Sequence, residues 1–174
     1  MNQFRLDLDA TRCAQAHQDA HVGKMLLEAV QQLCTAFQER HDYCIVVPTI
    51  SNVRANPMPI SMSMGAPCSP PWQDLSTTER LAADLLPYSR TKAQYNHPCS
   101  VWTRASRANF NSTFELAEAL AAEFRYRFDK LHGSEAALNW VKRHRSEALV
   151  PDGPLTPYAL AMPEKYQYGV RDQA

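Results

Sequence analysis

His17-Gln18-Asp19-Ala20-His21-Val22-Gly23-Lys24-Met25-Leu26-Leu27-Glu28 lies inside a longer segment, Asp9 to Arg40, that has no proline, a single glycine and a high content of Ala, Leu, Met and Gln. Asp9 is an acceptable N-cap, so the whole segment reads as one long helix. At about 100° per residue, His17, His21, Lys24 and Glu28 project within roughly 60° of one another and form a single ionisable stripe. Val22, Met25, Leu26, Leu27, Ala29, Val30, Leu33, Cys34 and Phe37 spread over well over half the circumference. A helix apolar over so wide an arc is usually packed on several sides. The stripe then either lines a cleft or is a solvated face with a Lys–Glu pair at i,i+4 spacing. Asp19 falls in the apolar arc, where an unpaired carboxylate costs on the order of several kcal/mol, so a partner or another helix's N-terminus is expected for it.

Outward from this helix, Phe4, Leu6 and Leu8 alternate with polar residues in a short extended lead-in that can pack along one face. Tyr43-Cys44-Ile45-Val46-Val47 is a β-branched run cut off by Pro48 and reads as one short strand. Six prolines between Pro48 and Pro71 leave no room for a regular element, which points to a flap or insertion. Ser76-Thr77-Thr78-Glu79 is a capping box, followed by Leu81, Leu85 and Leu86 on a short helix that stops before Pro87.

A second long helix is expected from Pro98 to about Leu131, capped by Asn96 or His97, with Pro98 in its first turn. Trp102, Phe110, Phe114, Leu116, Ala117, Leu120, Phe124, Phe128 and Leu131 form its core face. Ser106, Asn109 and Thr113 fall inside that apolar arc and must be hydrogen-bonded, either as clamps on a neighbouring helix or as pocket walls. His97 stands at a helix start, where N–H groups and the dipole favour an anion, and Arg104 follows about two turns on. A capping histidine with a surface arginine explains the same pair. Ser134 opens a last helix through Leu138, Trp140 and Val141 to about Ala148, and the proline-rich end is expected to lie over the helices with Tyr158, Met162, Tyr166 and Tyr168 as anchors.

The 174 residues, 45% hydrophobic, are enough for one domain with a real core. The expected architecture is mainly α: a compact single-domain bundle of about four helices over residues 1–174, with 48–74 as a loop insertion and 150–174 as an extended tail. No apolar run approaches the ~18 residues that span a bilayer, and no signal-peptide core opens the chain, so a cytoplasmic location is expected. Cys13, Cys34, Cys44, Cys68 and Cys99 are widely spaced, with no CxxC pair, and read as reduced thiols. Eighteen basic residues balance eighteen acidic ones, so net charge makes no claim for nucleic acid. Arg90, Lys92, Arg104 and Arg107, however, lie in a stretch with no Asp or Glu.

HxxxH on a helix can hold a metal, but the metalloprotease form has Glu after the first His and Gln18 stands here; no metal and no cofactor are expected. Phosphate-binding glycine loops and the serine-hydrolase elbow are absent from the sequence. The stripe also suits acid–base and electrophile chemistry. A partly desolvated Lys24 offers a neutral amine for Schiff-base formation, and Glu28, one turn on, handles protons.

The Phe4-Arg5-Leu6-Asp7 lead-in, the helix bearing His17 to Met25, and Asn96-His97-Pro98 leading to Arg125-Tyr126-Arg127-Phe128-Asp129-Lys130 together resemble a group of small phage-encoded proteins. These are similar in layout to pyrimidine dimer DNA glycosylases of the endonuclease V type. The resemblance covers most of the chain between Phe4 and Lys130, without the proline-rich insertion and the tail, and Asn-His-Pro is its most specific block. It implies a helical DNA-repair fold in the host cytoplasm that binds double-stranded DNA, flips a base and cleaves the N-glycosidic bond through a Schiff base on C1′. The family's nucleophile is the α-amine of a small residue exposed by loss of the initiator methionine, beside a glutamate on the first long helix. Here residue 2 is Asn, which leaves the amine on Met1, and position 24 holds Lys with Glu28 one turn beyond. Either Lys24 takes over as the amine, or the scaffold serves different chemistry on DNA.

The leading expectation is therefore a DNA base-acting enzyme with His17, His21, Lys24 and Glu28 facing His97, Arg104 and Asn109 across one cleft. Lys24 is the amine or a phosphate ligand, Glu28 the general base, the histidines proton carriers, and Arg104 a phosphate clamp supported by Lys92, Ser106 and Arg107. One alternative is a DNA-modifying transferase that joins an amine or amino acid to an activated 5-hydroxymethylpyrimidine. Another is a non-catalytic binding or inhibitor protein.

Overall fold

The structure, a computed structural model, describes residues 3–38, 75–88 and 92–159. The expected strand Tyr43–Val47, the insertion 48–74, Arg90 and the tail beyond residue 159 lie outside the described residues. Helix accounts for 66% of those described, with no strand among them. No helix there is long and apolar enough to cross a membrane.

Seven α-helices occur among the described residues where about four were expected. They are α1 (Ala10–Ala16), α2 (Asp19–Cys34), α3 (Thr77–Ala82), α4 (Lys92–Tyr95), α5 (Pro98–Ala105), α6 (Arg107–Phe128) and α7 (Glu135–Arg143). Much of the difference comes from two breaks in helices expected to be continuous. The first falls at His17 and Gln18, both extended, with no proline or glycine to cause it. Arg127 supplies the reason. Its guanidinium donates to the Gln15 carbonyl at 2.9 Å and the His17 carbonyl at 2.7 Å, satisfying groups that continued helix would otherwise occupy. The same side chain pairs with Asp19, at the first position of α2, at 2.8 Å. Asp19 thus has the partner its charge requires, but on an exposed corner rather than within the core.

The second break is at Ser106, whose extended backbone ends α5 and caps α6. Its hydroxyl accepts the Asn109 N–H at 3.1 Å and donates to the Pro154 carbonyl at 2.8 Å. A serine that satisfies both a helix start and a crossing segment favours the break over continued helix. His97 caps α5 through its ring Nδ1, which accepts the Cys99 N–H at 3.3 Å, and Ser76 and Glu79 form the capping box of α3.

The most extensive packing is between α2 and α6, with α1 and α5 also laid against α6. Val22, Leu26, Val30 and Leu33 of α2 are fully buried with Phe110, Phe114 and Leu120 of α6 and Trp140 and Val141 of α7. Phe37 meets Trp140 edge-on at 5.1 Å and Phe110 at 6.2 Å. Each such side chain contributes about 1.5–3 kcal/mol by leaving water. Gly23 lets α2 come close to this layer, since a Cβ there would stand 3.1 Å from the Phe124 ring and 3.4 Å from His132. Leu131, expected on the core face, lies beyond the end of α6 and is exposed, because Asp129 turns left-handed and stops the helix.

The lead-in takes the opposite face to the one its apolar residues suggest. Phe4, Leu6 and Leu8 are exposed, and Arg5 turns inward. The Arg5 guanidinium donates to the Ser112 carbonyl at 2.6 Å and hydroxyl at 2.7 Å and lies over the Tyr158 ring. Period-two alternation then sends Phe4 and Leu6 outward.

Candidate active site

Glu28 sits in the second half of α2, and α5 packs on the same helix. Its charge reaches two groups at the start of α5, the His97 ring and the Cys99 thiol. His97 is half-buried, and burial lowers its pKa below the ordinary imidazole value against the opposing pull of Glu28. Because Nδ1 accepts the Cys99 N–H, the neutral ring presents Nε2–H as its remaining donor. Cys99 is buried, which pushes its thiol pKa up, although the Gln3 backbone N–H bonds to it and pulls the other way. It is a poor nucleophile in that state.

The other stripe residues occupy different settings. His21 and Lys24 lie on α2, two turns and one turn before Glu28; His21 is half-buried with its ring 5.9 Å from Phe4, and Lys24 is exposed. His17 is no longer on that helix. It closes α1, only 3% exposed, with Nδ1 at 2.7 Å from the Cys13 carbonyl.

The later residues divide in the same way. Arg104 donates to the Tyr95 carbonyl at 2.9 Å and stacks 3.6 Å over the Tyr95 ring, so it is turned back on α4, which Lys92 opens. Asn109 is fully buried: its amide nitrogen donates to the Trp102 carbonyl and the Thr156 hydroxyl, and its oxygen accepts the Thr156 N–H. Ser106 and Asn109 are therefore clamps that hold the segment 151–159 over the junction of α5 and α6. Thr113 completes this seam, donating to the Asn109 carbonyl at 3.1 Å and facing the Thr103 hydroxyl at 3.2 Å. Arg107 donates to the carbonyls of Arg145, Ala148 and Val150.

Of the expected site residues, Glu28 and His97 are thus the early and late ones that lie on directly packed helices, α2 and α5. Sequence reasoning missed Cys99 beside them and missed the inward turn of Arg5. It also passed over His132, whose ring stands edge-on to Phe124, accepts the Ser134 N–H at 3.1 Å and has its pKa lowered by burial. The spacing of Gly23 on α2 was the available signal for a close neighbour there, but it names no partner. Among the described residues no three His, Cys, Asp or Glu side chains converge as a metal would require. Comparison of the chain with protein-family models, with curated proteins and with solved structures finds no match.

Proposed function

We propose that the chain is an enzyme acting on a modified or damaged pyrimidine in double-stranded DNA, cleaving its N-glycosidic bond in the manner of pyrimidine dimer DNA glycosylases. The observation that supports this reading is the packing of α2, which bears Glu28, against α5, whose first turn His97 caps, so that a carboxylate and a half-buried imidazole stand on adjoining helices. Glu28 takes the proton of a water whose oxygen bonds to C1′ as the C1′–N bond breaks. His97, neutral and with Nε2–H free to donate, steadies the departing base at its carbonyl oxygen. The base leaves with the electron pair of the broken bond and takes a proton from solvent. Lys24, exposed on α2, suits a backbone phosphate better than a desolvated Schiff-base amine.

Ultraviolet-irradiated duplex incubated with the protein should acquire alkali-labile sites, and the Glu28→Gln protein should make none. Borohydride should trap no adduct on Lys24. A second reading, transfer of an amine or amino acid to an activated 5-hydroxymethylpyrimidine, is favoured by the same exposure of Lys24, since it needs no lysine nucleophile. Mass spectrometry of nucleosides from hydroxymethylated DNA separates the two: a heavier nucleoside without abasic sites replaces cleavage by transfer. Neither product from either substrate would end the enzymatic reading.

A further inference from the structure

Away from Glu28 and His97, the start of α6 and the end of α7 enclose an open hollow of about 440 Å³ lined by Arg107, Asn111, Lys142, Arg143, Arg145 and Ser146. Its walls carry four cations and no carboxylate. Two of them have an ordinary explanation, because Lys142 and Arg143 lie in the last turn of α7, where cations complement the helix dipole. They also pair outward, Lys142 with Glu118 at 2.7 Å and Arg143 with Asp84 at 3.0 Å, both through largely exposed side chains. Exposed pairs of this kind are worth about 0–1 kcal/mol and yield readily to a better anion.

The other two cations are not explained that way. Arg107 directs part of its five N–H donors to three backbone carbonyls, which bond to it without cancelling its charge. Arg145 is fixed by the Asn111 side-chain oxygen at 3.2 Å, with its guanidinium 4.9 Å from the centre of the Phe114 ring. Neither has a carboxylate partner among the described residues. Two pre-positioned guanidinium groups, two loosely engaged cations, an amide and a hydroxyl match the donor set that grips phosphate oxygens.

We propose that this hollow binds a phosphodiester group of the DNA backbone, a contact that positions the duplex and reads no base. The proposal rests on the reading of the chain as a DNA-acting enzyme. A fluorescent duplex is titrated against the intact chain over a range of salt concentrations, with the variants Lys142→Glu and Lys142→Gln/Arg145→Gln alongside. The expected result is a salt slope shallower by about 1 in the double variant, with binding about tenfold weaker for any duplex sequence. Lys142→Glu, whose side chain stands largely in solvent and whose change leaves every Arg145 contact in place, should weaken binding in the same direction even if the double variant melts early. Equal slopes and affinities in wild type and Lys142→Glu overturn the hollow while leaving the enzymatic reading intact. Duplex binding that depends on the hollow, by a chain that processes no base, supports the hollow and removes the enzymatic reading. No duplex binding at all removes both, and protection of the wild type alone by inorganic phosphate would then assign the hollow to free phosphate.

Discussion

Asn109 and Thr156 are bonded to each other twice: the Asn109 amide donates to the Thr156 hydroxyl at 2.8 Å, and its oxygen accepts the Thr156 backbone N–H at 2.9 Å. The same amide also reaches the Trp102 carbonyl at 2.9 Å, so one buried side chain ties α5, α6 and the crossing segment together. Replacement by leucine takes these bonds from the Trp102 carbonyl and from the hydroxyl and N–H of half-buried Thr156. Asn109→Leu should therefore lose about 2–4 kcal/mol in urea unfolding, whereas Asn109→Asp, which keeps the acceptor, should lose less near pH 4 than at pH 7.

Arg127 holds the corner between α1 and α2 through two carbonyls and the Asp19 carboxylate. Arg127→Met preserves much of the volume and removes every bond. A loss of about 2 kcal/mol is expected, with faster amide exchange confined to α1 and the first turn of α2. Exchange spread evenly over the chain would contradict this account of the break.

Asp84 takes a left-handed backbone conformation, φ 55°, while its carboxylate accepts from Arg143 and His144. Partial burial acts to raise its pKa, but those hydrogen bonds prevail and hold it below the usual carboxylate range. Glycine relieves the backbone and alanine does not. Asp84→Ala should accordingly cost about 1–3 kcal/mol and Asp84→Gly measurably less, the difference giving the backbone share. Equal losses in thermal melts would place the whole effect in the carboxylate.

His97 and His132 both have pKa values lowered by burial. Unfolded, each ring takes a proton near the ordinary value of about 6.5; folded, each refuses it until lower pH. Their contribution is complete above that value and is lost as pH falls through the folded values, so unfolding free energy should decline from pH 7 toward pH 5. His97→Gln/His132→Gln should flatten this part of the profile.

Glu28→Gln keeps the size and polarity of the side chain and removes the base. It should lower base processing by at least about 10²-fold with little change in duplex affinity or melting temperature. Loss of duplex binding in parallel with activity would reassign Glu28 to holding the fold.

The helical character of the chain was legible from periodicity, and so were the capping box at Ser76 and the polar residues of the later long helix that must be bonded. The breaks were not. Continuity from Asp9 onward was a sound reading of local propensity, and only Arg127, 110 residues further on than His17, overrides it. At Ser106 the competing bond comes from Pro154, 48 residues further on. The stripe of His17, His21, Lys24 and Glu28 depended on unbroken helical phase, so the corner removed His17 from it and left Glu28 as the residue whose charge reaches His97. Arg104 and Arg107 were visible as cations, but the tertiary carbonyls that occupy them have no pattern in the sequence. In the lead-in, the apolar residues announced an inward face that one arginine, bonded to Ser112, reverses.

Ser112 is touched from both directions: Arg5 reaches it from the start of the described chain, and the Tyr158 hydroxyl comes within 3.4 Å of its side chain from the far end. A polypeptide still being synthesised can assemble its long helices while this point stays open, because the sealing segment follows them in the chain and emerges from the ribosome later. Maturation of the junction between α5 and α6 is thereby deferred until that segment has emerged, and a nascent chain arrested before Pro154 would expose the Asn109 amide to water and to passing chaperones.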